Sequence, residues 1–263
     1  MPVNWLFHHV VYRRVDLELK LEAITPLRVG AAFSDPFYLV ARNPTVRVTL
    51  GDRRLPFIPG TTLKGALRAG VQLLEMIEGR RTCGHGECFT ALRDELDSVT
   101  HDDLLKRLCT LCKIFGAPGY RSHVFVGDAY PEEPEVPTFP KQGVALSRTK
   151  GGAVDRRLYD FEIIPSGTRF NWKIEITNLP NRYLSRILGA VYLMHEGILR
   201  IGGLKSRGLG WLKIRRFSLI STDMAENRIP PLDERDTECR LDPSKEGADA
   251  LMFAMRSCWG ELP

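Results

Sequence analysis

Four glycines and two cations crowd the stretch Gly202-Gly203-Leu204-Lys205-Ser206-Arg207-Gly208-Leu209-Gly210. Glycine admits positive φ and close backbone approach, loop amides can face anionic oxygens, and Lys205 and Arg207 add charge where a polyanion would sit. The chemistry implied is phosphate-chain binding, with Gly202, Gly203, Lys205, Ser206, Arg207 and Gly208 as contacts; a plain turn between a helix and a strand is the alternative. Nucleotide hydrolysis is a poor match, because most of the chain precedes the glycines and no GxxxxGKS or GxxxxGKT string occurs.

A second constellation is made of thiols. Cys83 and Cys88, with His85 between them, are followed after twenty residues by Cys109 and Cys112. These four or five soft ligands are enough to close a tetrahedral zinc shell, and a shell filled by thiolates keeps no open position, so the metal is structural. Cys239 and Cys258 stand apart and read as ordinary thiols. Lys64 and Arg68 form a third group, since residues four apart share a helix face and a helix N-terminus favours anions. Arg148, Lys150, Arg156 and Arg157 lie in a polar segment broken by Gly151 and Gly152, which reads as a protruding loop able to order between RNA bases.

Periodicity supplies the elements that must hold these groups. From Arg13 to Thr25, Val15, Leu17, Leu19, Leu21 and Ala23 alternate with Asp16, Glu18, Lys20 and Glu22, the pattern of a half-buried strand. Residues 26–59 carry Pro26, Pro36, Pro44, Pro56 and Pro59 without a helical period, which predicts an irregular or hairpin-containing excursion. Thr61 is placed to cap a helix running to about Gly79, with Leu63, Ala66, Leu67, Gly70, Val71, Leu74 and Ile77 inward. A short helix near His101 to Leu108 follows, then a strand from His123 to Tyr130 and a proline-rich loop from Pro131 to Pro140. Tyr159 to Ile176 reads as a hairpin turning at Pro165-Ser166-Gly167, with Tyr159, Phe161 and Ile163 on one arm and Phe170, Trp172, Ile174 and Ile176 on the other. Asn181 to Leu199 is helical, with Tyr183, Ile187, Ala190, Val191 and Met194 inward, and a strand from Leu209 to Ile220 follows the glycines.

The order β-α-β-β-α-β predicts an α+β chain with a ferredoxin-like, RRM-like core. Residues 1–221 then form an RNA-binding domain with insertions at about 26–59, 80–116 and 131–157, and residues 222–263 an acidic C-terminal extension. No RRM aromatic signature occurs on the predicted sheet, so RNA has to use loops.

Composition limits the partners. Of the 263 residues 43% are hydrophobic, enough for an ordinary core, and no apolar run approaches the roughly 20 residues that span a bilayer. Met1-Pro2-Val3-Asn4-Trp5 lacks a secretory pattern, so a cytoplasmic location with no membrane partner is expected. The net charge of +5 is uneven: residues 222–263 hold 10 acidic and 5 basic side chains, which leaves 22 acidic and 32 basic in residues 1–221. Arginine outnumbers lysine 27 to 10, and the planar guanidinium suits phosphate contacts.

Taken together these residues resemble a known family. Ile58-Pro59-Gly60-Thr61-Thr62-Leu63-Lys64-Gly65-Ala66-Leu67-Arg68 resembles the first-helix entry of the RAMP superfamily, and Gly202–Gly210 resembles its glycine-rich loop. The cysteines lie between them, as in zinc-bearing backbone subunits of type III CRISPR effector complexes. Leu158-Tyr159-Asp160-Phe161-Glu162 with Gly167-Thr168-Arg169-Phe170 resembles the strands after the family's thumb. The resemblance spans roughly residues 13–220 and implies a thumb-like hairpin insertion and a long N-terminal loop. It further implies a subunit that binds CRISPR RNA beside copies of itself or close paralogues and other effector subunits, and that cuts the paired target RNA. Cutting subunits carry an Asp in the first loop a few residues before a proline; here Asp35 matches by region, while its spacing departs from that pattern in directly preceding Pro36. Its carboxylate would bind Mg2+ or another divalent ion, or orient a ribose 2′-hydroxyl. The alternative is a non-catalytic RNA-binding or capping subunit of the same kind of complex; a zinc-stabilised RNA-binding protein outside CRISPR is a third reading.

Overall fold

The computed structural model describes residues 3–31, 43–84, 86–92, 95, 98–146, 153–224, 232 and 239–240. Its centre is β1 (Arg13–Ala23), which buries Val15, Leu17, Leu19, Leu21 and Ala23 because successive side chains alternate between the faces of a strand. β1 pairs antiparallel with β8 (Arg169–Thr177) and with β9 (Leu212–Asp223), and Leu19 stands opposite both Trp172 and Phe217. The other edge of β8 takes β4 (Val124–Val126) and β5 (Tyr130–Pro131), and that of β9 takes the short β10 (Cys239–Arg240).

Two helices cover one face of this sheet. α1 (Gly60–Ile77) packs on α5 (Asn181–His195) so closely that a Cβ on Gly70 would lie 2.8 Å from that of Ala190. All five expected inward residues of α5 are buried. The chain order β1-α1-β4-β8-α5-β9 and the spatial order β9-β1-β8-β4 make a mixed α+β fold with antiparallel sheets, compatible with a ferredoxin-like unit. The opposite sheet face is a mosaic of ion pairs, among them Lys20 with Glu132 (2.8 Å), Lys173 with Asp16 (3.6 Å) and Arg215 with Glu22 (2.8 Å). No helix among the described residues is long and apolar enough to cross a membrane.

Several expectations need correction. The strand before β8 does not form a hairpin with it. β8 already has β1 on one edge and β4 with β5 on the other, so β7 (Ala153–Ile163) pairs instead with β6 (Phe139–Leu146), Phe139 opposite Ile163. The segment from Gln142 that reads as loop is therefore largely an antiparallel ribbon. Pro140 is tolerated in β6 because that strand has one partner and can leave a missing N–H on its free edge. Within the excursion, β2 (Arg47–Leu50) and β3 (Arg53–Pro56) form a hairpin turning at Gly51 and Asp52.

Thr61 does not cap α1; it is exposed inside the first turn, and Pro59 occupies the cap position without a side-chain bond. The acceptor comes from outside the helix, where Asp128 Oδ1 takes the Gly60 amide at 2.6 Å. Asp128 sits in the break between β4 and β5, so the expected continuous strand from His123 to Tyr130 is interrupted where it holds the helix entry. At the other end Ile77 is 71% exposed, and Glu75 is buried in its place. Arg186 Nε and Arg80 Nε each lie 3.1 Å from its carboxylate, and the Thr110 hydroxyl donates to it at 2.6 Å, so the polar side chain is matched on every side.

Candidate nucleic-acid interface and metal centre

A groove of about 380 Å³ separates α1 from the glycine-rich loop. One wall is the α1 face made of Thr62, Gly65, Ala66 and Ala69; the other is Ile201, Gly202, Gly203 and Lys205, and Arg28 with Gly30 closes the end. Small residues on the helix wall keep the backbone accessible. The loop is pinned by its own amides: Gly203 donates to the Arg28 carbonyl (2.8 Å), Gly210 to Pro26 (3.0 Å), and Arg207 and Gly208 to Leu204 and Lys205 (2.9 and 3.1 Å). These four amides are spent on the fold and are not open to an anion. Gly202 has φ +79, and a Cβ there would lie 2.2 Å from the Arg28 carbonyl oxygen, so the close approach of the two segments requires glycine. Lys205, Ser206 and Arg207 form an exposed 3-10 turn.

Arg28 was not visible as a site residue in the sequence. Its Nη1 donates to the carbonyls of Asn43 (2.9 Å) and Glu162 (3.3 Å), and its guanidinium lies 5.3 Å from the Phe161 ring centre. It follows β1 in a segment with no period, and only the partners across the fold give it a role. Lys64 and Arg68 lie on a different side of α1 from the groove wall. Lys64 Nζ donates to the Val124 carbonyl (3.4 Å), and burial with the neighbouring Arg68 charge lowers its pKa. Arg68 Nη2 donates to the Gly84 carbonyl (3.4 Å), beside the cysteines. Arg68 thus lies beside the cysteine cluster and Lys64 beside β4, while Lys205 borders the groove. Arg156 and Arg157 fall in the outer part of β7; Asp35, His85, Arg148 and Lys150 lie outside the described residues.

The four clustered cysteines converge. Cys83 and Cys88 flank the entry to α2 (Glu87–Thr90), and Cys109 and Cys112 flank the start of α4 (Thr110–Phe115), after α3 (His101–Arg107). Sγ separations are 3.5 Å for Cys83 with Cys88 and with Cys109, 3.3 Å for Cys112 with Cys83 and with Cys88, and 3.8 Å for Cys88 with Cys109. Sulfurs about 2.3 Å from a tetrahedral zinc stand about 3.8 Å apart, so these residues fit such an ion without His85. Burial pushes the Cys88 thiol up to about 11, and the contact between Cys109 and Cys112 lowers Cys109 to about 4 while raising Cys112. Four crowded thiols resist ionising together; a divalent cation held among them would let all four become thiolates.

The family model of the RAMP superfamily matches residues 20–213, a span that contains the end of β1, both covering helices, the cysteine cluster and the glycine-rich loop. The chain belongs to the RAMP superfamily. No curated protein matches the chain. RAMP membership supports a CRISPR-associated RNA-binding subunit acting within a multi-subunit complex. On this RAMP chain the groove brings together the two sequence-readable parts, the first helix and the glycine-rich loop, and adds Arg28 between them.

Proposed function

We propose that this chain is a CRISPR RNA-binding backbone subunit of a type III interference complex, with the guide's phosphate chain lying in the groove between α1 and the glycine-rich loop. The observation that carries the reading is the convergence of Lys205, Arg28 and the small α1 face on one groove in a chain of this superfamily. Small residues let a sugar-phosphate backbone approach, and the cations favour it without reading bases. The ribbon of β6 and β7 is the thumb-like insertion of this reading, and the core is its ferredoxin-like unit. The sheet face is filled with paired charges, which directs RNA to the loops.

The finer part of the proposal is cleavage of the bound target RNA, with Asp35 as the catalytic carboxylate and a divalent ion such as Mg2+ as its partner. The experiment is reconstitution of the complex with a guide and a labelled target. Asp35→Ala is expected to leave assembly and target binding nearly intact while cleavage falls by orders of magnitude. Asp52→Ala is the control, since Asp52 is exposed in the turn between β2 and β3. Cleavage lost on Asp52→Ala and retained on Asp35→Ala assigns the wrong carboxylate; retention in both favours the subunit that only holds RNA.

A further inference from the structure

A second cavity, of about 410 Å³, opens at the N-terminus of α5, beside the start of β1 and about 30 Å of strand away from the groove. Val3, Trp5, Leu105 and Pro180 make its walls apolar, and His101, Asp102 and Arg182 bring polar atoms to it. Trp5 is fixed: it is 5% exposed, with its ring 5.2 Å from Tyr183 and 5.5 Å from His123 between centroids. The His101 side chain is 10% exposed, yet its buried Nε2 has no hydrogen-bond partner. An unsatisfied group of this kind is a cost to the fold until something meets it.

The chemistry of the missing partner can be read from the surroundings. Asp102 Oδ1 stands 3.9 Å from Nδ1, which favours the proton there and leaves Nε2 as an acceptor. Burial lowers the imidazole pKa and keeps the ring neutral. The partner is therefore a donor. At the mouth, α5 starts without a side-chain cap or an acidic residue in its first turn, and the exposed Arg182 lies over the Tyr183 ring at 4.6 Å, so this end favours an anion. A ligand meeting both requirements carries a flat group with an N–H edge and an anion close by. An acidic apolar side chain would meet Arg182 but leave Nε2 unsatisfied.

We propose that this cavity is a single-nucleotide site, in which an unstacked RNA base enters against Trp5 and donates from its edge to His101 Nε2 while its phosphate meets Arg182 at the α5 N-terminus. Splayed bases held by aromatic and arginine contacts are the usual currency of single-stranded RNA recognition. The site extends the RNA-holding reading and shares no residue with the groove, so the two stand or fall separately.

The test is an NMR titration of the full chain, labelled with 15N at histidine, using cytidine 5′-monophosphate and, as the base-free control, ribose 5-phosphate. The His101 Nε2 resonance is expected to move with the nucleotide and not with the sugar phosphate. Arg182→Ala and His101→Phe should each weaken nucleotide binding at this site at least tenfold. His101→Phe keeps the ring and removes the unsatisfied nitrogen, so its melting temperature should not fall; if that variant does not fold, the wild-type resonance and Arg182→Ala decide the matter. An unmoved His101 signal, an equal response to ribose 5-phosphate, or nucleotide binding left unchanged by Arg182→Ala overturns the proposal.

Discussion

Glu162 is 1% exposed and nevertheless held ionised. Burial alone would raise its pKa, but donors from the Thr138 hydroxyl, the Thr45 amide at 2.7 Å and the Arg47 guanidinium outweigh that and hold it below the ordinary carboxylate value. Through it the excursion before α1 is tied to the end of β7 and, by the Glu162 carbonyl, to Arg28 at the groove. Since the folded pKa lies below the unfolded one, the carboxylate contributes stability that is present above the unfolded value and lost as pH falls through the folded one. Glu162→Gln should cost about 2–3 kcal/mol at neutral pH, because the part-buried Arg47 loses its counter-charge while some hydrogen bonds persist. Urea unfolding between pH 7 and pH 3 should show the gap narrowing on the acid side; parallel curves for the two proteins would assign the loss to packing instead.

At the scale of elements, the α1, α5 and β1 patterns were legible because one face of each meets a continuous core, so burial follows the helical or strand period, except at the end of α1 where Glu75 is buried and Ile77 exposed. The ribbon of β6 and β7 was not. Its first strand carries Pro140 and Gly143, poor strand signals that matter little where a strand has a single partner, and choosing between β6 and β8 as the mate of β7 requires knowing which edges are already filled. Phe161, Glu162 and Ile164 are all nearly unexposed, which breaks alternation because the end of the ribbon passes between the excursion and β1's continuation. The thiol spacing, in contrast, announced a convergence that needs no long-range topology to be recognised. Cross-linking two short helices that bury few residues of their own, the metal should be part of the folding free energy. Freshly purified protein is expected to contain about one zinc per chain, and Cys109→Ser should lower its melting temperature and metal content together. A protein that carries no zinc and melts unchanged after Cys109→Ser would make the cluster four packed thiols.

Across the whole molecule the charge is divided, with an excess of ten positive charges in residues 1–221 and an excess of five negative ones in residues 222–263. On the described surface many of the cations are already paired on the sheet face, Arg14, Lys20, Lys173 and Arg215 among them, which leaves that face little net attraction for a polyanion. The glycine-rich turn presents Lys205 and Arg207 at the surface of a loop whose backbone is locked to Pro26 and Arg28, so little backbone entropy is lost on meeting a phosphate. Binding to single-stranded RNA should then be electrostatic, steeply weakened by salt and indifferent to base sequence along the groove. Each phosphate contact contributes about 0.7 to the slope of log K against log salt on a single strand, so replacing Lys205 and Arg207 by alanine should flatten that slope by about 1.4 if both make one contact. Affinities for unrelated RNAs should drop by similar factors, measured by fluorescence anisotropy across a salt series. A drop confined to one RNA sequence would mean that the turn reads bases, and an unchanged slope would place the guide's phosphates elsewhere on the molecule.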